Sequence, residues 1–164
     1  MNLILMRELL QQISDEVSGW PRVTAGPHAF GGTEYRFDQA EIGHIHRDGT
    51  LDIPYPISVR KELIAEGMVE RHHFLPATGW TPFHVNAANL GRGLWLLRLS
   101  YLRYAVREAG KVDGWDSPRA ESLLKELQRA VGADLFQAME SALRFPRPKV
   151  QVHTAHEAPP LRPS

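Results

Sequence analysis

The sequence predicts an α+β fold, an antiparallel sheet of roughly five to six strands covered by helices on one face, with a C-terminal helical appendage. Three observations predict it. The chain opens on an amphipathic helical period, continues through short β-rich runs divided by turn dipeptides, and returns to helical periodicity from about residue 87. Strands followed by segregated helices argue for an antiparallel sheet rather than alternating βαβ units.

Leu3, Met6, Leu10, Ile13 and Val17 recur at three- and four-residue spacing and predict a helix over 3–17, closed by Gly19, Trp20 and Pro21. Its polar face carries Arg7, Glu8, Gln11, Gln12, Asp15 and Glu16, which suits a helix packed on a core and not one lying on a membrane. From Arg22 to Tyr55 the runs Arg22–Thr24, Thr33–Phe37, Ile42–His46 and Thr50–Ile53 read as strands. Gly26-Pro27, Gly31-Gly32 and Asp48-Gly49 read as the turns between them, Asp48-Gly49 being the clearest. A short helix is expected over 58–65, with Ser58 as its cap and Gly67 as its stop. Val69–Leu75 and Trp80–Val85 read as two further strands. A long helix is expected from about Ala87 to Ala109, ended by Gly110. Ser117-Pro118 starts the C-terminal helices, which break at Gly132, and residues 149–164 have the composition of a disordered tail. The expected units are therefore a domain over 1–110, a helical appendage over 117–145 and a tail over 146–164.

Composition narrows the function. Lys+Arg and Asp+Glu are both 19, so there is no net charge to draw the chain toward nucleic acid or anionic lipid. The absence of cysteine removes disulfides, thiolate nucleophiles and thiolate-bound zinc. No apolar run is long enough for a signal segment or a membrane span, so a cytoplasmic protein is expected. No Gly-x-Ser-x-Gly elbow and no His-Glu-x-x-His motif occur, and Phe30-Gly31-Gly32-Thr33 lacks the lysine of a phosphate loop.

The chemistry-bearing residues concentrate between Glu41 and Trp80. His44 and His46, two apart on an expected strand, point to the same face and can offer two imidazoles to one ion or one substrate. Glu41 falls on the opposite face of a regular strand, unless a bulge at Gly43 turns it. His72 and His73 are adjacent, so only one can share a side with the first pair. Alone, the pattern fits exposed or core-satisfied histidines better than a site.

The runs E-I-G-H-I-H, T-L-D-I-P-Y-P, L-I-A-E-G-M-V-E-R-H-H-F-L-P and G-W-T-P-F-H-V resemble the luciferase-domain family of bacterial and fungal proteins, over about Trp20–Tyr104. That family includes fungal luciferases that oxidise 3-hydroxyhispidin with molecular oxygen. The resemblance implies catalysis without metal or organic cofactor. His44, His46 and His72 would serve as base and substrate-orienting groups, with Glu41 fixing a tautomer, and Asp52, Arg71 and Trp80 would contact substrate. It carries no expectation of light emission. Asp52 departs from the family's pattern, standing where the fungal motif tends to carry a histidine. Three functions are thus carried forward. The first is a cofactor-independent, oxygenase-like enzyme on an aromatic or enolic small molecule. The second is a divalent metal site on His44, His46 and either His72 or His73. The third is a non-catalytic binding module using Trp80 and the long helix. A small-molecule partner is expected, a homodimer is permitted, and neither nucleic acid nor membrane is expected as a partner.

Overall fold

A computed structural model describes residues 2–70 and 78–144. The order of elements is α1 (Leu3–Ser18), β1 (Val23–Pro27), β2 (Thr33–Phe37), β3 (Ala40–Ile45), β4 (Thr50–Pro54), α2 (Ile57–Ala65), β5 (Trp80–His84), α3 (Leu90–Val112), α4 (Pro118–Ala130) and α5 (Ala133–Arg144). The five strands form one open antiparallel sheet in chain order, β1-β2-β3-β4-β5. The α+β reading holds, with five strands among the described residues. The expected strand over 69–75 is absent at Val69 and Glu70, which follow the turn at Gly67 without pairing, and its remainder lies outside the described residues.

Helices α1 and α3 pack on one face of the sheet, α1 over β1 and β2, and α3 over β2, β3 and β4. The apolar stripe of α1 buries Met6, Leu9, Ile13 and Val17 there; of the other expected positions, Leu10 is half-buried and Leu3 is exposed, because the inward face runs through Leu9. From the sheet come Tyr35, Phe37, Ile42, Ile45, Leu51 and Ile53, and from α3 Leu96, Leu97, Leu99 and Leu102, all buried in one cluster. Two buried tyrosines pin helices to this layer. Tyr35 exchanges a 2.8 Å hydrogen bond with Ser14 of α1, and Tyr55 donates at 2.5 Å to the carbonyl of Leu96 in α3. The C-terminal helices join the same core. α4 packs on α3 and α5 packs on α2, burying Leu127, Leu135, Met139 and Leu143.

Several local expectations need correction. Gly26-Pro27 is no turn but the end of β1, paired with Glu34 and Thr33 of β2. The turn lies at 28–32, where Gly31 and Gly32 take φ of +81° and +111°. Ser58 does not cap α2, which begins one residue earlier behind Pro56 and has no side-chain cap. Gly110 does not end α3. It lies inside the helix, where the indole of Trp115 packs on it and an added Cβ would sit 2.5 Å from the ring. By contrast, Ser117 caps α4 as expected, its side chain accepting from the amide of Ala120, with Pro118 in the first turn.

Candidate functional site

The site occupies the sheet face turned away from α1 and α3, and the register places it there. Glu34 of β2 stands opposite His44 of β3, and His44 stands opposite Asp52 of β4, so the three share a face. Asp52 in turn opposes Pro82 of β5, and Trp80, two residues before Pro82, reaches the same face opposite Pro54. His46, two residues beyond His44, joins them.

Glu41 joins the group only because β3 is bulged. Tyr35 pairs with Gly43 and Arg36 with Glu41, leaving Ile42 without a partner on β2. The extra residue shifts the alternation by one, so Ile42 and Gly43 both serve the core side while Glu41 and His44 both face outward. Gly43 suits this position because α3 passes close. A Cβ there would lie 2.9 Å from the side chain of Leu97 and 3.2 Å from the carbonyl of Asp52, at φ +155°.

His44 is held at both ring nitrogens. Its Nδ1 lies 2.5 Å from Glu41 Oε1, and its Nε2 lies 3.4 Å from Asp52 Oδ2. The same Asp52 oxygen is 3.0 Å from His46 Nε2. Side-chain exposures of 12% for His44, 23% for Glu41 and Asp52 and 29% for His46 leave the group shielded yet reachable. Burial pushes the His44 pKa down, but hydrogen bonds from its ring to Asp52 and Glu41 outweigh that and raise it above the ordinary histidine value. The hydrogen bond from His44 holds the Asp52 carboxyl below its ordinary value, against burial and with help from His46.

A third imidazole, His28, completes the cluster and was not singled out by the sequence. Its ring stacks on His44 with centroids 3.8 Å apart and planes 14° from parallel, and meets His46 edge-on at 5.5 Å. Its Nδ1 is buried without a hydrogen-bond partner among the described residues. The turn that carries it lies flat against β3. Gly32 approaches so closely that a Cβ would fall 2.2 Å from the carbonyl oxygen of Ile45. The available signal was parity. Gly26 opposes Glu34, which opposes His44, so two residues beyond Gly26 the chain is on the site face. Reading Gly26-Pro27 as a turn hid it.

Two aromatics flank the imidazoles. The Trp80 ring is 5.3 Å from His44, and Phe30, at 89% exposure, is 6.0 Å from His28. Gly79 sets the start of β5 beside Tyr55, whose amide it accepts at 3.0 Å. The structure therefore brings together Glu41, His44, His46, Asp52 and Trp80 from the residues singled out by sequence. Arg71, His72 and His73 lie outside the described residues. Among the described residues, two triplets have ligand atoms within 4.8 Å of one another, His28 with Glu41 and His44, and His44 with His46 and Asp52.

Residues 39–115 match the family model described as the luciferase domain. The match runs from the start of β3 to just past α3 and so contains Glu41, His44, His46, Asp52 and Trp80, while His28 precedes it. No curated protein and no solved structure matches the chain. No described helix is long and apolar enough to cross a membrane.

Proposed function

We propose that this chain is a small oxygenase-like enzyme of the luciferase-domain kind, acting on an aromatic or enolic small molecule at the outward face of the sheet. One observation carries the reading: Glu41, His44, His46 and Asp52 converge on one face although a regular β3 would have turned Glu41 away. Burying carboxylates and imidazoles beside each other is costly unless they pair, and such concentrations gather at sites that move protons. The luciferase-domain match over the same residues supports an oxygen-dependent reaction.

The chemistry follows from the groups. An enol or phenol is a weak acid whose anion is electron-rich. The His44–Asp52–His46 centre activates the hydroxyl, Trp80 and the exposed Phe30 offer flat apolar surface for a conjugated ring, and Glu41 positions His44 through its Nδ1. Molecular oxygen then adds to the activated carbon, both its atoms entering a hydroperoxide to which the displaced proton returns.

Oxygen uptake by the untagged full chain, measured against a panel of hydroxylated pyrones, enols and catechols, tests this. At least one compound should drive uptake that falls 100-fold or more in both His44→Ala and Asp52→Ala, the order expected for losing a proton-handling group. Uptake that is equal in both variants and the parent chain refutes the site assignment.

A further inference from the structure

We infer that His44 Nε2, His46 Nε2 and Asp52 Oδ2 hold one divalent transition-metal ion, with Glu41 as the positioning residue behind His44; this rests on the functional reading of the same face and names the agent that activates the hydroxyl there.

The first argument is one of lone pairs. Glu41 Oε1, 2.5 Å from His44 Nδ1, fixes that nitrogen as the protonated one, donating to the carboxylate. In neutral His44, Nε2 then presents a lone pair. It faces Asp52 Oδ2 at 3.4 Å, which is also an acceptor. Two acceptors aimed at each other repel unless a cation lies between them. A second proton on His44 is one answer and a metal ion is the other.

Geometry favours the ion. Nitrogen and oxygen ligands bound at about 2.1 Å stand about 3.0 Å apart in an octahedron and about 3.4 Å apart in a tetrahedron. Asp52 Oδ2 is 3.0 Å from His46 Nε2 and 3.4 Å from His44 Nε2, which are polyhedron edges. The competing triplet of His28, Glu41 and His44 fits less well, because its 2.5 Å contact between Glu41 and His44 is a hydrogen bond and too short for two ligands of one ion. Carboxylate behind imidazole behind metal is the usual order of support at such centres.

The scaffold supports the same conclusion. Two ligands come from β3 and its extension at i and i+2, and the third stands directly across on β4, so the sheet hydrogen bonds fix their spacing. Three protein ligands leave coordination positions open on the exposed side, which suits binding a substrate oxygen. Two imidazoles and one carboxylate suit Fe(II), Co(II) or Zn(II) better than Mg(II) or Ca(II).

The test uses the full chain without a histidine tag, stripped with a chelator and titrated with Co(II) followed by visible absorption. Saturable binding at one ion per chain is expected, with d–d bands of a low-coordinate nitrogen and oxygen site. His46→Ala and Asp52→Ala should each weaken Co(II) binding 100-fold or more, and Glu41→Gln about 10- to 100-fold. His28→Ala should stay within about threefold of the parent. Because a variant can fail to fold, a second readout uses the parent alone: Zn(II) should raise its melting temperature in proportion to log concentration above the binding constant. No saturable Co(II) binding and no Zn(II) shift overturn the inference, as does a His28→Ala loss equal to that of His46→Ala. Oxygen uptake that persists in chelated protein removes the metal while leaving the enzymatic reading, with His44 as its own base. Tight Co(II) binding without oxygen uptake for any compound does the reverse.

Discussion

Substituting Gly32 by alanine separates the seating of the His28 turn from the stability of the sheet. The added Cβ would lie 2.2 Å from the Ile45 carbonyl oxygen and 3.0 Å from the His46 Cα, both backbone atoms that cannot swing aside as a flexible side chain can. Ordinary contact begins at 3.4 Å, so the turn must retreat by about 1 Å. Overpacking of this kind costs about 1–3 kcal/mol. The backbone at φ +111° is nearly closed to residues other than glycine and costs about 1–3 kcal/mol more. The expected loss is therefore at least about 2 kcal/mol, or about 4–8 °C in melting temperature for a chain of this size. Two glycines calibrate it. Gly67 has φ +69° but open space around its Cβ, so Gly67→Ala should cost only the left-handed penalty of about 1–2 kcal/mol. Gly91 has open space on the exposed start of α3, and Gly91→Ala should be neutral or stabilising by up to about 1 kcal/mol. Urea unfolding gives the three values. Proton NMR of the imidazoles adds a local readout, since the stacked His28 and His44 rings should lose their mutual ring-current shifts only in Gly32→Ala. A Gly32→Ala midpoint no lower than that of Gly67→Ala, with the ring shifts intact, would refute the close approach.

Alkaline unfolding offers a separate check. Burial pushes the Tyr55 hydroxyl well above its ordinary pKa and raises that of Tyr35 despite its bond to Ser14. Above about pH 10 the unfolded chain sheds these protons before the folded chain does, so stability falls with pH by up to about 1.4 kcal/mol per unit for each tyrosine until its folded pKa is passed, over a longer range for Tyr55. Tyr55→Phe should flatten that slope, while costing about 0.5–1.5 kcal/mol at neutral pH through the lost bond to Leu96. An unchanged slope would contradict its burial. Ser117→Ala should destabilise by about 1 kcal/mol and Ser117→Asp by much less, since aspartate also accepts from the Ala120 amide. Met139→Ala, in the fully buried face of α5, should cost about 2–5 kcal/mol in a single transition. A separate early transition would show that α4 and α5 unfold apart from the sheet.

The parts of the fold set by local rules were legible. The first helix, the Asp48-Gly49 hairpin and the Ser117-Pro118 start each depend on a few neighbouring residues, and each formed where expected, although the buried stripe of that helix runs through Leu9 and leaves Leu3 exposed. Strand parity likewise placed His44 and His46 on one face. What escaped depends on contacts between distant segments. Gly110 signals a stop, yet Trp115 folds back over it and the helix continues. Gly26-Pro27 signals a turn, yet Pro27 ends an edge strand, where its missing N–H is tolerated. That misplacement concealed His28. Asp52 was recognised as a departure from the family's pattern, but only the register shows that it faces both histidines.

The bulge at Ile42 acts as a frameshift in the pleat. Residues before it on β3 are out of phase with those after it, so spacing along the chain misreports which side chains are neighbours. A carboxylate three positions before the first histidine in a bulged strand is equivalent to one two positions before it in a regular strand. Relatives that lack the extra residue would therefore carry the same acid at a different count, and an alignment forced through without a one-residue gap opposite Ile42 would set the acid against a core position. For chains of this kind the sound comparison is by face of the sheet, counted outward from His44 in both directions.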